Sequence, residues 1–182
     1  VGPSGASRVG VQFRAKSLGR ELVADLACEL RAITQDAGVR LVINSDVEIA
    51  RACFADGVHL PEADAGAGAK RGTGTNASPA VARSRLGAAA LIGASCHDPV
   101  GLARAAQGGA TYATLSPVFE SPGKGAPLGL PRFAEWTQAA LLPVFALGGV
   151  NAASAAALKR AGASGIAVIG AVFAAADPAR AV

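Results

Sequence analysis

Aromatic side chains are scarce in this chain of 182 residues, at 4% with a single tryptophan and a single tyrosine. Charge is also thin: 16% of residues are charged and the formal net charge is +4. A nucleic-acid or polyanion-binding surface would need more cation than that, so neither a nucleic-acid nor a membrane-surface partner is expected. Cysteine is limited to Cys28, Cys53 and Cys96, with no CxxC pair and no dense disulfide framework. Reduced thiols in a cytosolic protein are the plain reading. No apolar run reaches the ~18 residues of a membrane span, and the N-terminus lacks a signal-peptide pattern.

What the chain does have is small and aliphatic. Apolar residues reach 51%, which excludes disorder. Alanine is roughly a quarter of the chain. The core must therefore be built from small and branched side chains.

Short β-rich runs alternate with helical patterns. Strands are expected at 9–14, 41–44, 57–60, 90–95, 112–119, 143–147 and 165–169. Helices are expected at 18–37, 47–54, 78–86, 98–107, 130–141 and 151–161, with a short one from about 171. Leu22, Leu26, Leu30 and Ile33 form the apolar stripe of the first helix. Ser78-Pro79, Asp98-Pro99 and Asn151 are helix starts. The segment 61–76, rich in Gly, Ala and Thr, reads as a mobile loop. The strand runs are almost wholly apolar rather than alternating, as for parallel strands covered on both faces. Such a repeat is α/β, either an open doubly wound sheet or a (β/α)8 TIM barrel. Polar residues follow nearly every strand, and a barrel gathers such ends at one mouth, so the barrel is the expected fold. Seven strands are visible, in a single domain over 1–182.

Several groups could carry chemistry. Gly148-Gly149 and Ile169-Gly170 follow the last two strands, where barrels often hold a phosphate on backbone N–H groups. The plain alternative is a pair of tight turns. Gln12, Arg14 and Lys16 alternate along one strand face, and two cations there suit a phosphate-rich ligand; a solvated strand end is the alternative. His97, just beyond Ser95, is placed for proton transfer, or is simply a helix-entry histidine beside Asp98. Its neighbour Cys96 points to the opposite face and is not its nucleophilic partner. His59, inside a strand, reads as a satisfied core group. Glu62 and Asp64, with Asn44, could offer oxygen ligands to Mg2+, or form a solvated acidic loop. Lys124 sits in a Gly/Pro loop able to close over a ligand, or is a surface lysine.

Taken in order, the segments VQFRAK (11–16), VIN (42–44), DGVHL (56–60), IGASCH (92–97), PVF (117–119), ALGGV (146–150) and GASGIAV (162–168) resemble the thiamine phosphate synthase/TenI superfamily. That resemblance covers nearly the whole chain and implies a (β/α)8 barrel of thiamin biosynthesis, commonly a homodimer, acting on a small phosphorylated substrate. In its synthase branch, hydroxymethylpyrimidine diphosphate is joined to a thiazole phosphate with Mg2+; in its TenI-like branch a thiazole carboxylate phosphate is aromatised without joining. By resemblance, Gln12, Arg14 and Lys16 hold the pyrimidine diphosphate. Asn44 and Ser45 match an Asn-Asp pair whose aspartate binds metal, and Asp64 matches a second metal ligand. Residues 121–124 match a Thr-x-Thr-Lys loop. Gly148, Gly149, Ile169 and Gly170 hold the thiazole phosphate.

The departures point to the second branch. Ser45 removes a metal carboxylate, Ser121 and Gly123 break the two-threonine loop, and Pro61 replaces a usual glycine. Ser95-Cys96-His97 resembles the TenI Ser-x-His linked to proton transfer. A weakened Mg2+ site hinders diphosphate departure, whereas proton transfer needs no metal. The expectation is thus a cofactor-free thiazole tautomerase with His97 and Ser95 catalytic. The alternatives are a Mg2+-dependent thiamine phosphate synthase using Asp64, and a non-catalytic phosphate-binding barrel. The family commonly begins with a strand and helix before the Gln-x-Arg-x-Lys strand, so this chain is expected to lack the first βα unit.

Overall fold

The computed structural model describes residues 9–62 and 78–181. The chain divides into two compact units at the boundary between Gly93 and Ala94. Strand order follows chain order in each.

The first unit holds β1 (Gly10–Phe13), α1 (Arg20–Asp36), β2 (Arg40–Asn44), α2 (Val47–Ala52), β3 (Gly57–Leu60), α3 (Pro79–Leu86) and the start of β4 (Leu91–Cys96). β1, β2 and β3 are parallel, with Gln12 beside Val42 and Asn44 beside His59. Registered residues of a parallel pair share a face, and alternate residues switch faces. Leu41, Ile43, Val58, Leu60 and Ile92 are therefore packed with Ala27, Ile49, Ala50 and Ala82 into an aliphatic core. Gln12, Val42, Asn44 and His59 take the opposite face.

Two expectations are corrected here. The buried residues of α1 are Ala27 and Thr34, whereas Leu22 and Ile33 are 48% and 66% exposed. Small side chains let the helix backbone approach the sheet, so the buried stripe is turned toward Ala27, with Leu30 of the expected face still packed against the core. β1 also ends at Phe13, so Lys16 lies in a turn and does not continue the strand face of Gln12. The segment read as a mobile loop lies mostly outside the described residues.

One carboxylate ties the first unit together. Asp56 accepts from Arg31 Nη1 at 2.7 Å, Arg40 Nη1 at 2.8 Å and the Leu41 N–H at 2.9 Å. Burial alone would raise its pKa, but the Leu41 N–H and the Arg40 and Arg31 guanidinium groups outweigh it and hold the carboxyl below its usual range. A depressed folded pKa stabilises the fold above the unfolded value and loses that contribution as pH falls through the carboxylate range. Asp56→Asn should cost about 2 kcal/mol at pH 7, the scale of charge-assisted bonds. Urea unfolding should then show the variant and parent converging at acid pH. Equal midpoints at pH 7 would refute this role.

The second unit holds the end of β4, α4 (Pro99–Gln107), β5 (Tyr112–Leu115), α5 (Gly129–Gln138), β6 (Val144–Leu147), α6 (Ala152–Arg160), β7 (Gly165–Ala167) and α7 (Gly170–Phe173). β5, β6 and β7 are parallel. The core gathers Cys96, Leu102, Leu115, Val144 and Leu158 around Phe133. Helix starts are local and were readable: Asp98 accepts from the Gly101 N–H at 2.6 Å, and Asn151 with Ser154 forms a capping box. β5 stops at Leu115 rather than reaching 119, because Ser116-Pro117 breaks the ladder. The described strands number seven in all, an α/β fold. No helix among the described residues is long and apolar enough to cross a membrane.

Candidate functional site

In the first unit, polar chemistry collects past the C-terminal ends of β1 and β2. Arg14 and Lys16 follow β1 and are both exposed. No carboxylate among the described residues forms an ion pair with either, so their charge can meet an anion. Gln12 Nε2 donates to Asn44 Oδ1 at 3.0 Å, and Asn44 Nδ2 donates to Ser45 Oγ at 2.9 Å. His59 shares their sheet face and is only 3% exposed. Burial, with the Arg14 charge adding to it, pushes its pKa down to about 4, so the ring is neutral at pH 7. The expectation of a buried strand histidine holds, but its company is polar, which the residue-by-residue reading missed. The apolar run hid it; only the strand register places it beside Asn44.

The metal expectation fares differently. Asp46 follows Ser45, but its Oδ1 accepts from the Ile49 N–H at 2.9 Å as the cap of α2. The same carboxylate is paired with Arg20, Nε to Oδ2 at 3.0 Å. Ser45 is neutral and its oxygen already takes the Asn44 amide. No group of three His, Cys, Asp or Glu able to hold a metal occurs among the described residues. The donors described here do not fit Mg2+, and Asp64 lies outside the described residues.

In the second unit, His97 sits at the exit of β4. Its Nδ1–H donates to the Ser116 carbonyl oxygen at 2.6 Å, with Ser116 Oγ at 3.5 Å. A carbonyl only accepts, so the neutral ring carries its lone pair on Nε2. Ser95 is the residue before buried Cys96, whose sulfur faces the Ala94 carbonyl at 4.0 Å. Ser116 was not foreseen, because its contribution is a backbone carbonyl.

Beyond β6 and β7 lies a cavity of about 230 Å3 lined by Glu120, Ser121, Gly148, Gly149, Ile169 and Gly170, among others. The four expected phosphate residues thus meet in one place. Gly148 and Gly149 have φ of 92° and 63°, conformations natural to glycine. Their loop is bonded to the segment after β5: the Val118 N–H donates to Leu147 O at 2.9 Å and the Phe119 N–H to Gly148 O at 3.0 Å. Ile169 precedes α7, whose first N–H groups have no partner within the helix. Small backbone donors around an uncrowded hollow suit a phosphate. Lys124 lies on the neighbouring turn, where its N–H donates to Ser121 O at 3.1 Å. Its ammonium is exposed and makes no ion pair among the described residues.

A parallel α/β protein with exposed cations after its first strand and a glycine-lined hollow after its last two belongs among enzymes and binders of phosphorylated small molecules. Comparison narrows that class. A family profile described as thiamine monophosphate synthase matches residues 6–172. The chain is 42% identical over 171 residues to a putative thiamine-phosphate synthase of Geobacter sulfurreducens, covering 92% of this chain and 75% of that one. It is 43% identical over 171 residues to a thiamine-phosphate synthase of Azoarcus, covering 92% and 77%. Among solved structures, thiamine phosphate pyrophosphorylase from Pyrococcus furiosus matches with a TM-score of 0.79 at 27% identity, covering 97% of this chain and 80% of that one. The chain belongs to the thiamine monophosphate synthase family.

These relatives overturn the expectation of a TenI-like tautomerase, since they are synthases and a pyrophosphorylase by name. The error lay in weighing a few departures, at Ser45, Pro61, Ser121 and Gly123, with the Ser95-Cys96-His97 likeness, above the match of the chain as a whole.

Proposed function

We propose that the protein is a thiamine-phosphate synthase, a transferase joining hydroxymethylpyrimidine diphosphate to thiazole phosphate with release of diphosphate. The observation that carries the reading is the presence of two anion-ready places, one in each unit. Joining two phosphorylated substrates needs both; isomerising one thiazole phosphate needs only the glycine-lined hollow. The names of the relatives support the same reading, and the likeness to the Pyrococcus furiosus structure supports a (β/α)8 barrel of the synthase kind.

In this reading Arg14 and Lys16 bind the diphosphate and stabilise the charge that grows on it as the carbon–oxygen bond to the pyrimidine methylene breaks. Gln12 takes the pyrimidine end. Backbone groups of Gly148, Gly149, Ile169 and Gly170 hold the thiazole phosphate, and Lys124 closes on it. Ser95 and His97 orient the thiazole, the imidazole held by Ser116. The thiazole nitrogen supplies the electron pair of the new bond. Mg2+ belongs to this proposal through the family, and the chemistry it supplies when bound is charge neutralisation on the diphosphate. No step is assigned to it on the residues described.

Purified protein incubated with both substrates and Mg2+ should yield thiamine phosphate and diphosphate, and neither substrate alone should. No thiamine phosphate at high enzyme concentration would overturn the reading.

A further inference from the structure

Three polar side chains of the first unit form a line of bonds. Ser45 Oγ accepts from Asn44 Nδ2 at 2.9 Å, and Asn44 Oδ1 accepts from Gln12 Nε2 at 3.0 Å. Each end of the Asn44 amide is therefore used. Gln12 has spent a proton of its amide nitrogen, and among the described residues its Oε1 accepts from no protein donor. A side chain that reaches its partner across 32 residues of sequence is held by the fold rather than by local turn chemistry.

The line starts from an unusual anchor. Ser45 has φ of 66°, one of two non-glycine residues among those described with positive φ. The Asp46 N–H donates to Asn44 O at 2.8 Å across it, and the Ser45 N–H donates to the His59 carbonyl at 2.9 Å. Ser45 is thus the centre of a three-residue turn pinned to β3. A left-handed conformation costs a non-glycine residue about 1 kcal/mol, yet a glycine there would supply no hydroxyl.

We propose that Ser45 is a positioning residue for the pyrimidine substrate. By bonding Asn44 it holds that amide against Gln12, and so keeps the Gln12 carboxamide in one place for the pyrimidine ring. A hydroxyl both donates and accepts, so what Ser45 restrains is where the two amides sit. A Gln12 free to swing would lose that freedom on binding the ring and hold it less well. The inference rests on the synthase reading, because it takes the pyrimidine diphosphate as the ligand of Gln12.

The test compares Ser45→Gly with Ser45→Asn by steady-state kinetics and thermal unfolding. Glycine accepts the positive φ without strain and removes only the hydroxyl, so the variant should melt no lower than the parent. Its KM for hydroxymethylpyrimidine diphosphate should rise about tenfold, the scale of a lost hydrogen bond. Its kcat and its KM for thiazole phosphate should stay within about twofold, as when uniform binding alone is removed. Asparagine tolerates the left-handed region and its carbonyl oxygen can accept from Asn44, so Ser45→Asn should bring the KM back to within about threefold of the parent. A parental pyrimidine KM in Ser45→Gly overturns the inference, as does an equal rise in both KM values or no recovery in Ser45→Asn. If the parent protein forms no thiamine phosphate, the synthase reading fails and this inference falls with it, an outcome distinct from an active parent with an unaffected variant.

Discussion

Gly57→Ala is expected to be the most destabilising single-methyl change in the first unit. A Cβ at Gly57 would overlap the Leu91 carbonyl oxygen and lie 2.6 Å from its carbon and 2.8 Å from its Cα. These are backbone atoms of the neighbouring strand and no rotamer change relieves them. They are also held where they are: the Leu91 N–H donates to Asp56 O at 2.8 Å, and the Asp56 N–H donates to Leu41 O at 2.8 Å. Making room means parting β3 from β4 beside the Asp56 ion-pair cluster. Overpacking costs typically 1–3 kcal/mol when side chains yield; with rigid backbone as the obstacle, about 3 kcal/mol or more is expected. For a chain of this size that lowers Tm by roughly 6–12 °C. Circular dichroism melts of parent and variant measure it, and a fall of less than about 2 °C would show that the strands part easily.

Local contacts are visible before folding and distant ones are not. Ser78-Pro79, Asp98-Pro99 and Asn151 announce helix starts because a cap acts on N–H groups two or three residues away. Their contacts are local and so is their signal. The scarcity of aromatics likewise foretold a core of alanine and aliphatic residues, with Phe133 the lone aromatic among the buried hydrophobic residues described. By contrast, an apolar run does not mark where its ladder stops, so β1 and β5 were read too long. The stripe of α1 was misassigned because hydrophobicity ranks leucine above alanine, while close approach of helix to sheet favours Ala27. The Gln12–Asn44 bond and the Nδ1–H of His97 on Ser116 depend on register between distant segments, which residue identity does not encode. The branch of the family was misjudged because single substitutions, at Ser45, Pro61, Ser121 and Gly123, were given more weight than the whole-chain likeness to synthases.

The largest effect on activity is expected from Gly149→Ala in the second unit. Gly149 has φ of 63°, which costs alanine about 1 kcal/mol before any contact is considered. Its new methyl would overlap the Glu120 carbonyl oxygen and lie 2.7 Å from Phe119 Cβ and 3.0 Å from the Phe119 carbonyl carbon. The Phe119 N–H is itself bonded to Gly148 O at 3.0 Å, so the two segments cannot separate without breaking the wall of the hollow. The strain sits in loops rather than between strands, and the unit can relieve it by moving them about an ångström. That displacement suffices to misplace the backbone donors proposed for the thiazole phosphate, and a shift of that size can cost about a hundredfold in rate. The expected result is a folded protein whose kcat/KM for thiazole phosphate falls about a hundredfold. Its affinity for hydroxymethylpyrimidine diphosphate, measured by calorimetry without the second substrate, should stay within about twofold of the parent, since that ligand is assigned to Gln12, Arg14 and Lys16. A variant with parental kcat/KM would remove Gly149 from the phosphate site, and equal loss of affinity for both substrates would show that the substitution damages the fold rather than the hollow.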